Sequence, residues 1–142
     1  MAKVRNPAES DANAISVLME ELGHPMTPQQ IVTQLRALVK QPGAAAWVAE
    51  LDGEVVGYGQ AHVIPSLHFP KPYAILSALV VAQREQGKGI GKQLVGTIED
   101  WARTQGAERI SLTSALHRVP AHAFYKSLGY EHTGVRLAKP LV

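Results

Sequence analysis

The run Leu79-Val80-Val81-Ala82-Gln83-Arg84-Glu85-Gln86-Gly87-Lys88-Gly89-Ile90-Gly91-Lys92-Gln93-Leu94 decides the fold. It opens on apolar, β-branched residues, which read as a buried strand. A short polar turn follows. Gly87, Gly89 and Gly91 then open an amphipathic helix whose apolar residues Ile90, Leu94, Val95, Ile98, Trp101 and Ala102 share one face of a 3.6-residue period. Gly106 offers the left-handed position that closes it. A strand, a glycine turn and a helix start together make an anion site. The first helical N–H groups lack an intrahelical acceptor, and the helix dipole adds partial positive charge there. Glycines let the main chain approach a phosphate with no Cβ between, and Lys88 and Lys92 add charge on either side. The reading is a phosphate or pyrophosphate held at Gln86 to Lys92, with a ligand-free tight turn as the alternative.

Two familiar phosphate patterns fail. A P-loop needs glycine at the place of Gln86 and Ser or Thr at the place of Gln93. A G-x-G-x-x-G turn meets Lys92 or Leu94 at its last position, depending on the starting glycine. What fits is Gln/Arg-x-x-Gly-x-Gly, written here Gln86-Gly87-Lys88-Gly89-Ile90-Gly91. This segment resembles the acetyl-CoA pyrophosphate loop of the GNAT N-acetyltransferase family.

Composition narrows the field. The 142 residues are expected to form one domain, residues 1–142, with an ordinary core. A formal net charge of +2 is too slight and dispersed for nucleic-acid binding. With no cysteine there is no disulfide, thiolate nucleophile or Cys-based zinc site. The six histidines show no metal-ligand spacing, so no metal is expected. No apolar run approaches a membrane span. Met1 to Arg5 precede no apolar leader region, so the cytoplasm is the expected location.

The remaining elements follow in order. Lys3 to Arg5 read as a strand. Asn6-Pro7-Ala8-Glu9 reads as a helix start with Asn6 as N-cap, and Ile15, Leu18, Met19 and Leu22 as the buried stripe. Thr27-Pro28-Gln29-Gln30 starts a second helix with a capping box, and Ile31, Leu35, Leu38 and Val39 as its stripe. Two strands flank the hairpin turn Asp52-Gly53. Tyr73 to Ala82, Arg109 to Thr113, Tyr130 to Thr133 and Val135 to Leu141 read as strands, and Val119 to Leu128 as a helix. The order β-α-α-β-β-β-α-β-α-β-β implies an α/β fold, one mixed sheet with helices on both faces. The strands before the glycine turn and after the long helix are expected to be parallel neighbours. This order also resembles the GNAT family from end to end.

A second stretch, Ala121-His122-Ala123-Phe124-Tyr125-Lys126-Ser127-Leu128-Gly129-Tyr130, resembles the GNAT segment after the fifth strand. The resemblance implies acetyl-CoA as cosubstrate. It implies that the amides of Gln86, Gly87, Lys88, Gly89, Ile90, Gly91 and Lys92 hold the pyrophosphate. Leu79, Val80 and Val81 would pair with the pantetheine arm where the sheet parts, and Tyr125 would be the general acid that protonates the leaving thiolate. Two positions depart from the pattern. Arg118 stands where many members carry Asn and is read instead as a cofactor contact, and Gln83 stands where proline is common.

The implied activity is transfer of an acetyl group to a primary amine of a small molecule or peptide. A homodimer is a further expectation that the family carries, though no residue here identifies its interface. The attacking amine must lose a proton, yet Tyr73 to Ala82 hold no acidic residue. His62, His68, His117 or a water chain remain open as the base. The acceptor is expected near Leu22 to Thr27, facing Tyr73 and the closing strands, with Glu20, Glu21 and His24 at hand. A non-catalytic acyl-CoA-binding sensor on the same fold, or a nucleotide-binding protein, are the competing readings.

Overall fold

Asp52 and Gly53 both take positive φ, 52° and 81°, the backbone of a turn that folds one strand back on the next with matching twist. Around this hairpin the computed structural model describes residues 1–114 and 119–142. Its elements are β1 (Lys3–Arg5), α1 (Ala12–Leu22), α2 (Pro28–Lys40), β2 (Ala44–Leu51), β3 (Glu54–Ile64), β4 (Tyr73–Val81), α3 (Ile90–Thr104), β5 (Ile110–Leu112) and α4 (Val119–Ser127). They fall into two units, Met1–Ser111 and Leu112–Val142. The sheet order is β1-β2-β3-β4-β5. The pairs β1–β2, β2–β3 and β3–β4 are antiparallel. β5 lies beside β4, as the sequence predicts, and the Ala74 N–H donates to the Arg109 carbonyl at 2.9 Å.

β3 sorts its side chains by size, since alternate strand residues face opposite sides. Gly57 and Gly59 face α3. A Cβ on Gly57 would lie 3.0 Å from Leu94 Cδ1 and 3.2 Å from Ala49 Cβ, and one on Gly59 2.9 Å from Ile98 Cδ1. Glycine there lets the long helix come close. The larger Tyr58, Gln60 and His62 face α1 and α2. The mixed sheet thus carries helices on both faces. Ile15, Leu18, Val48, Val56, Leu94, Val95 and Ile98 are its most deeply buried side chains. Trp47 of β2 meets Trp101 of α3 edge-on, with ring centroids 5.3 Å apart.

The helix signals hold with two differences. The capping box of α2 forms as expected, with the Gln30 N–H donating to Thr27 Oγ1 at 3.1 Å and the Thr27 N–H to Gln30 Oε1 at 2.9 Å. Gly23, Gly106 and Gly129 all sit in the left-handed region after a helix, where they close the backbone bonds of a Schellman end. The first helix, however, starts later than Asn6. Asn6 Nδ2 donates to the Ala46 carbonyl on β2 at 2.8 Å, so its amide serves a strand rather than a cap. Val39 also leaves the predicted stripe and is exposed.

A partly buried ion pair holds the start of α1. Arg5 donates to both carboxylate oxygens of Asp11 at 2.8 and 3.0 Å and to Glu50 at 3.2 Å, and the Ala8 N–H donates to Asp11 Oδ2 at 2.7 Å. The Arg5 hydrogen bonds above all hold the Asp11 carboxyl below the usual carboxylate range. A lowered folded-state pKa adds stability above the unfolded value near 3.9, and that stability is lost as pH falls through the folded value. Asp11→Asn is expected to cost about 1–3 kcal/mol at neutral pH. The deficit should shrink below roughly pH 4, read from urea unfolding at the two pH values.

In the second unit, α4 ends at Gly129 with φ 94°. The predicted closing strands Tyr130 to Thr133 and Val135 to Leu141 do not form, and residues 130–142 carry no regular element. Residues 131–142 are all exposed, including Val135, Leu137 and Leu141. With no buried face their alternation has nothing to pack on, and Gly134 and Pro140 disfavour a ladder. No helix among the described residues is long and apolar enough to cross a membrane.

Candidate active site

The glycine turn is built to leave main-chain donors facing outward. Gly87 and Gly89 take φ of 82° and 83°, a region that costs other residues about 1–2 kcal/mol. Gly89 is the N-cap of α3 and no side chain caps it. The first intrahelical bond runs from the Gln93 N–H to the Gly89 carbonyl at 3.0 Å. The amides of Ile90, Gly91 and Lys92 precede it. A Cβ at Gly87 or Gly89 would meet nothing within 4 Å. Open amides, a helix dipole and clear space fit an anion of diphosphate size.

The residues around that turn differ in what they still offer. The Gln86 N–H donates to the Gln83 carbonyl at 3.3 Å, and its side-chain amide to the Val81 carbonyl at 3.1 Å. Gln86 therefore ties the turn to the end of β4. Lys88 Nζ pairs with Glu85 Oε2 at 2.6 Å, and Arg84 pairs with Glu54 at 3.0 Å. Both pairs are solvent-facing and contribute little stability. Lys92 is exposed and has no ion pair among the described residues.

Leu79, Val80 and Val81 pair on one side with Gly59, Tyr58 and Gly57 of β3. On the other side β5 has three residues against nine in β4, so it cannot flank the whole edge. The β3–β4 register also slips once. Gln60 pairs with Ala78 and Ala61 with Leu76, which leaves Ser77 unmatched as a bulge. Such an extra residue bends its strand and re-aims side chains.

A cavity of about 350 Å³ lies between the two N-terminal helices and this part of the sheet. Its apolar wall comes from Ile15, Met19, Met26, Ile31, Leu35 and Leu38, and its polar groups are Gln34, Gln41, Tyr58, Gln60 and His62. Among the described residues no Asp, Glu, Lys or Arg lines it. Burial pushes the Tyr58 hydroxyl up to about 12, so it remains a donor, and it gives its proton to Gln60 Oε1 at 2.9 Å. His62 Nδ1 lies 2.7 Å from Ser77 Oγ.

The segment Leu22 to Thr27, read from the sequence as the acceptor region, meets this cavity at one residue. Of Leu22 to Thr27 only Met26 lines it, and Glu20, Glu21, His24 and Tyr73 do not. Glu21 instead accepts from the Gln83 N–H at 3.3 Å. His68 pairs with Ser66 at 2.8 Å on the surface. The alternation Tyr58, Gln60, His62 against Gly57, Gly59, Ala61 is visible in the sequence, and it is the signal that could have found the polar wall. Tyr125 belongs to the second unit, where its ring meets Phe124 at 5.1 Å and Tyr130 at 5.7 Å. Arg118 and His117 lie outside the described residues. Among those described, no group of three or more His, Asp or Glu is placed to hold a metal ion.

A mixed α/β sheet with a glycine-opened helix start after a bulged strand makes an anion-binding class of α/β fold. The chain belongs to the acetyltransferase (GNAT) family, whose model matches residues 13–130. It is 30% identical over 142 residues to the aminoalkylphosphonate N-acetyltransferase of Salmonella typhimurium, covering 99% of this chain and 92% of that one. It is 35% identical over 96 residues to the N-acetylaspartate synthetase of Rattus norvegicus, 68% of this chain, and spans only 31% of that relative's length. The fold is similar to that of an aminoglycoside N-acetyltransferase solved with CoA, with TM-score 0.85, 18% identity, and coverage of 100% of this chain and 96% of that one.

Proposed function

We propose that this chain, as one domain over residues 1–142, transfers an acetyl group from acetyl-CoA to the primary amine of a small molecule. The observation that carries this is the open row of amides at the start of α3 in a member of the acetyltransferase family. Bound there, acetyl-CoA supplies an activated acetyl thioester. The amides of Gly87, Lys88, Gly89, Ile90, Gly91 and Lys92 hold its diphosphate, with Lys92 and Arg118 adding charge and Gln86 bracing the turn. The main chain of Leu79, Val80 and Val81 orients the pantetheine arm, and an N–H from that strand polarises the thioester carbonyl. Tyr125 Oη gives the proton that the sulfur needs on departure.

The cavity between α1, α2 and β3 receives the acceptor. Its apolar wall and neutral amides favour an amine carried on an uncharged, largely apolar body over a polycation, because no carboxylate there would offset the desolvation of further charges. Relatives that act on amines, the aminoalkylphosphonate and aminoglycoside enzymes, support the reaction class.

The test is thiol release from acetyl-CoA against a panel of amines. Turnover with at least one amine is expected. Tyr125→Phe should lower that turnover about 10²-fold while CoA affinity, measured by calorimetry, stays unchanged. CoA binding with no thiol release for any amine would point to a sensor instead.

A further inference from the structure

The acceptor amine must shed a proton, and β4 carries no acidic residue to take it. We infer that His62 takes that proton through Nε2, positioned by the bulged Ser77 through Nδ1. The inference rests on the acetyl transfer proposed above.

Three observations converge on His62. It lines the acceptor cavity from β3. Its Nδ1 lies 2.7 Å from Ser77 Oγ, the one residue of β4 that the β3 ladder skips between Leu76 and Ala78. A bulge in a strand beside a binding cavity is the device that re-aims one side chain without moving the sheet. The surroundings leave His62 alone in the role. α1 contributes Ile15 and Met19, α2 contributes Gln34 and its apolar neighbours with Gln41 just beyond its end, and β4 contributes Ala78. None of these titrates. Tyr58 is the only other titratable group on the wall among the described residues, and its hydroxyl is engaged with Gln60.

With Nδ1–H donating to Ser77 Oγ, the lone pair sits on Nε2, and the second nitrogen fixes which one is basic. The ammonium nitrogen first gives one proton to Nε2, which passes it to solvent. Its lone pair then forms the C–N bond to the acetyl carbon as the C–S bond breaks. The nitrogen loses its second proton through Nε2 as the amide forms, the thiolate gains one from Tyr125 Oη, and the second proton restores Tyr125 by way of solvent, so charge and protons balance. His62 is the catalytic residue and Ser77 a positioning residue.

The test has two arms. ¹⁵N chemical shifts of the free protein should show His62 with the proton on Nδ1, and Ser77→Ala should erase that preference. The pH profile of kcat/KM, with the fastest amine of the panel, should show an acid limb in the wild type. His62→Gln should remove the limb and lower kcat at least about 10²-fold, with CoA affinity unchanged. Ser77→Ala, which only trims an exposed hydroxyl, should keep the limb but lower kcat severalfold, because the imidazole loses the acceptor that fixes its tautomer. An active wild type whose His62 carries its proton on Nε2, or whose limb persists in His62→Gln, overturns the assignment alone. A tautomer preference that Ser77→Ala leaves unchanged overturns the positioning role. A chain that binds CoA yet acetylates no amine overturns the proposed function and this assignment together.

Discussion

Gly89→Asp is expected to weaken CoA binding about 10³-fold while leaving the fold intact. Aspartate is a preferred N-cap, because its carboxylate accepts from the amides two and three residues on. At this position its carboxylate would stand beside the donors that precede the Gln93–Gly89 bond. It would also place a negative charge at the proposed diphosphate site, and like charges brought together at a site cost several kcal/mol. The backbone penalty is modest, since φ is 83° and Asp tolerates the left-handed region better than most residues. The new Cβ meets nothing within 4 Å. Calorimetric titration with CoA reads the loss, and a thermal melt within a few degrees of wild type shows that the fold survives. Wild-type affinity in the variant would mean that the diphosphate lies elsewhere.

Gly43→Ala is expected to cost about 3–5 kcal/mol of stability, from a left-handed backbone and overpacking together. Gly43 sits between α2 and β2 with φ 75°. A Cβ there would stand 2.5 Å from the Val63 carbonyl oxygen, which belongs to backbone and cannot swing away. Gly43 also accepts the Val63 N–H at 2.7 Å, so any shift that relieves the clash strains the bond joining this corner to β3. A fall in melting temperature of roughly 10 °C follows for a chain of this size. Gly53→Ala, at φ 81° with nothing within 4 Å of its Cβ, bears the backbone cost alone and should fall less.

The contrast between what was readable and what was not follows from the range of the forces. The α3 stripe, the glycine turn, the Asp52-Gly53 hairpin and the α2 capping box depend on residues within a few positions of one another, so the sequence displays them directly. Asn6 misled because its partner is the Ala46 carbonyl on another strand, and a local cap signal carries no sign of that competitor. The closing strands misled because alternation in Val135 to Leu141 states a preference, while a strand also needs a face to cover. The slip at Ser77 was not legible for a related reason. It depends on how β3 and β4 pair across the sheet and leaves no mark in composition or period, whereas the alternation of Tyr58, Gln60 and His62 along β3 does. The anion site at Gln86 to Lys92 was read from helix-start physics, whereas acetyl-CoA as its ligand and the role of Tyr125 came from motif resemblance.

The strands stand in the sheet in the order in which they occur in the chain. Each newly made strand therefore finds its docking edge on the one just before it, and no later segment has to thread between two that have already paired. The sheet can be laid down by successive addition as the polypeptide leaves the ribosome, with loop-closure entropy paid in small instalments along most of its length. Two joins are longer, β1 waiting for the two helices before β2 and β4 waiting for α3 before β5.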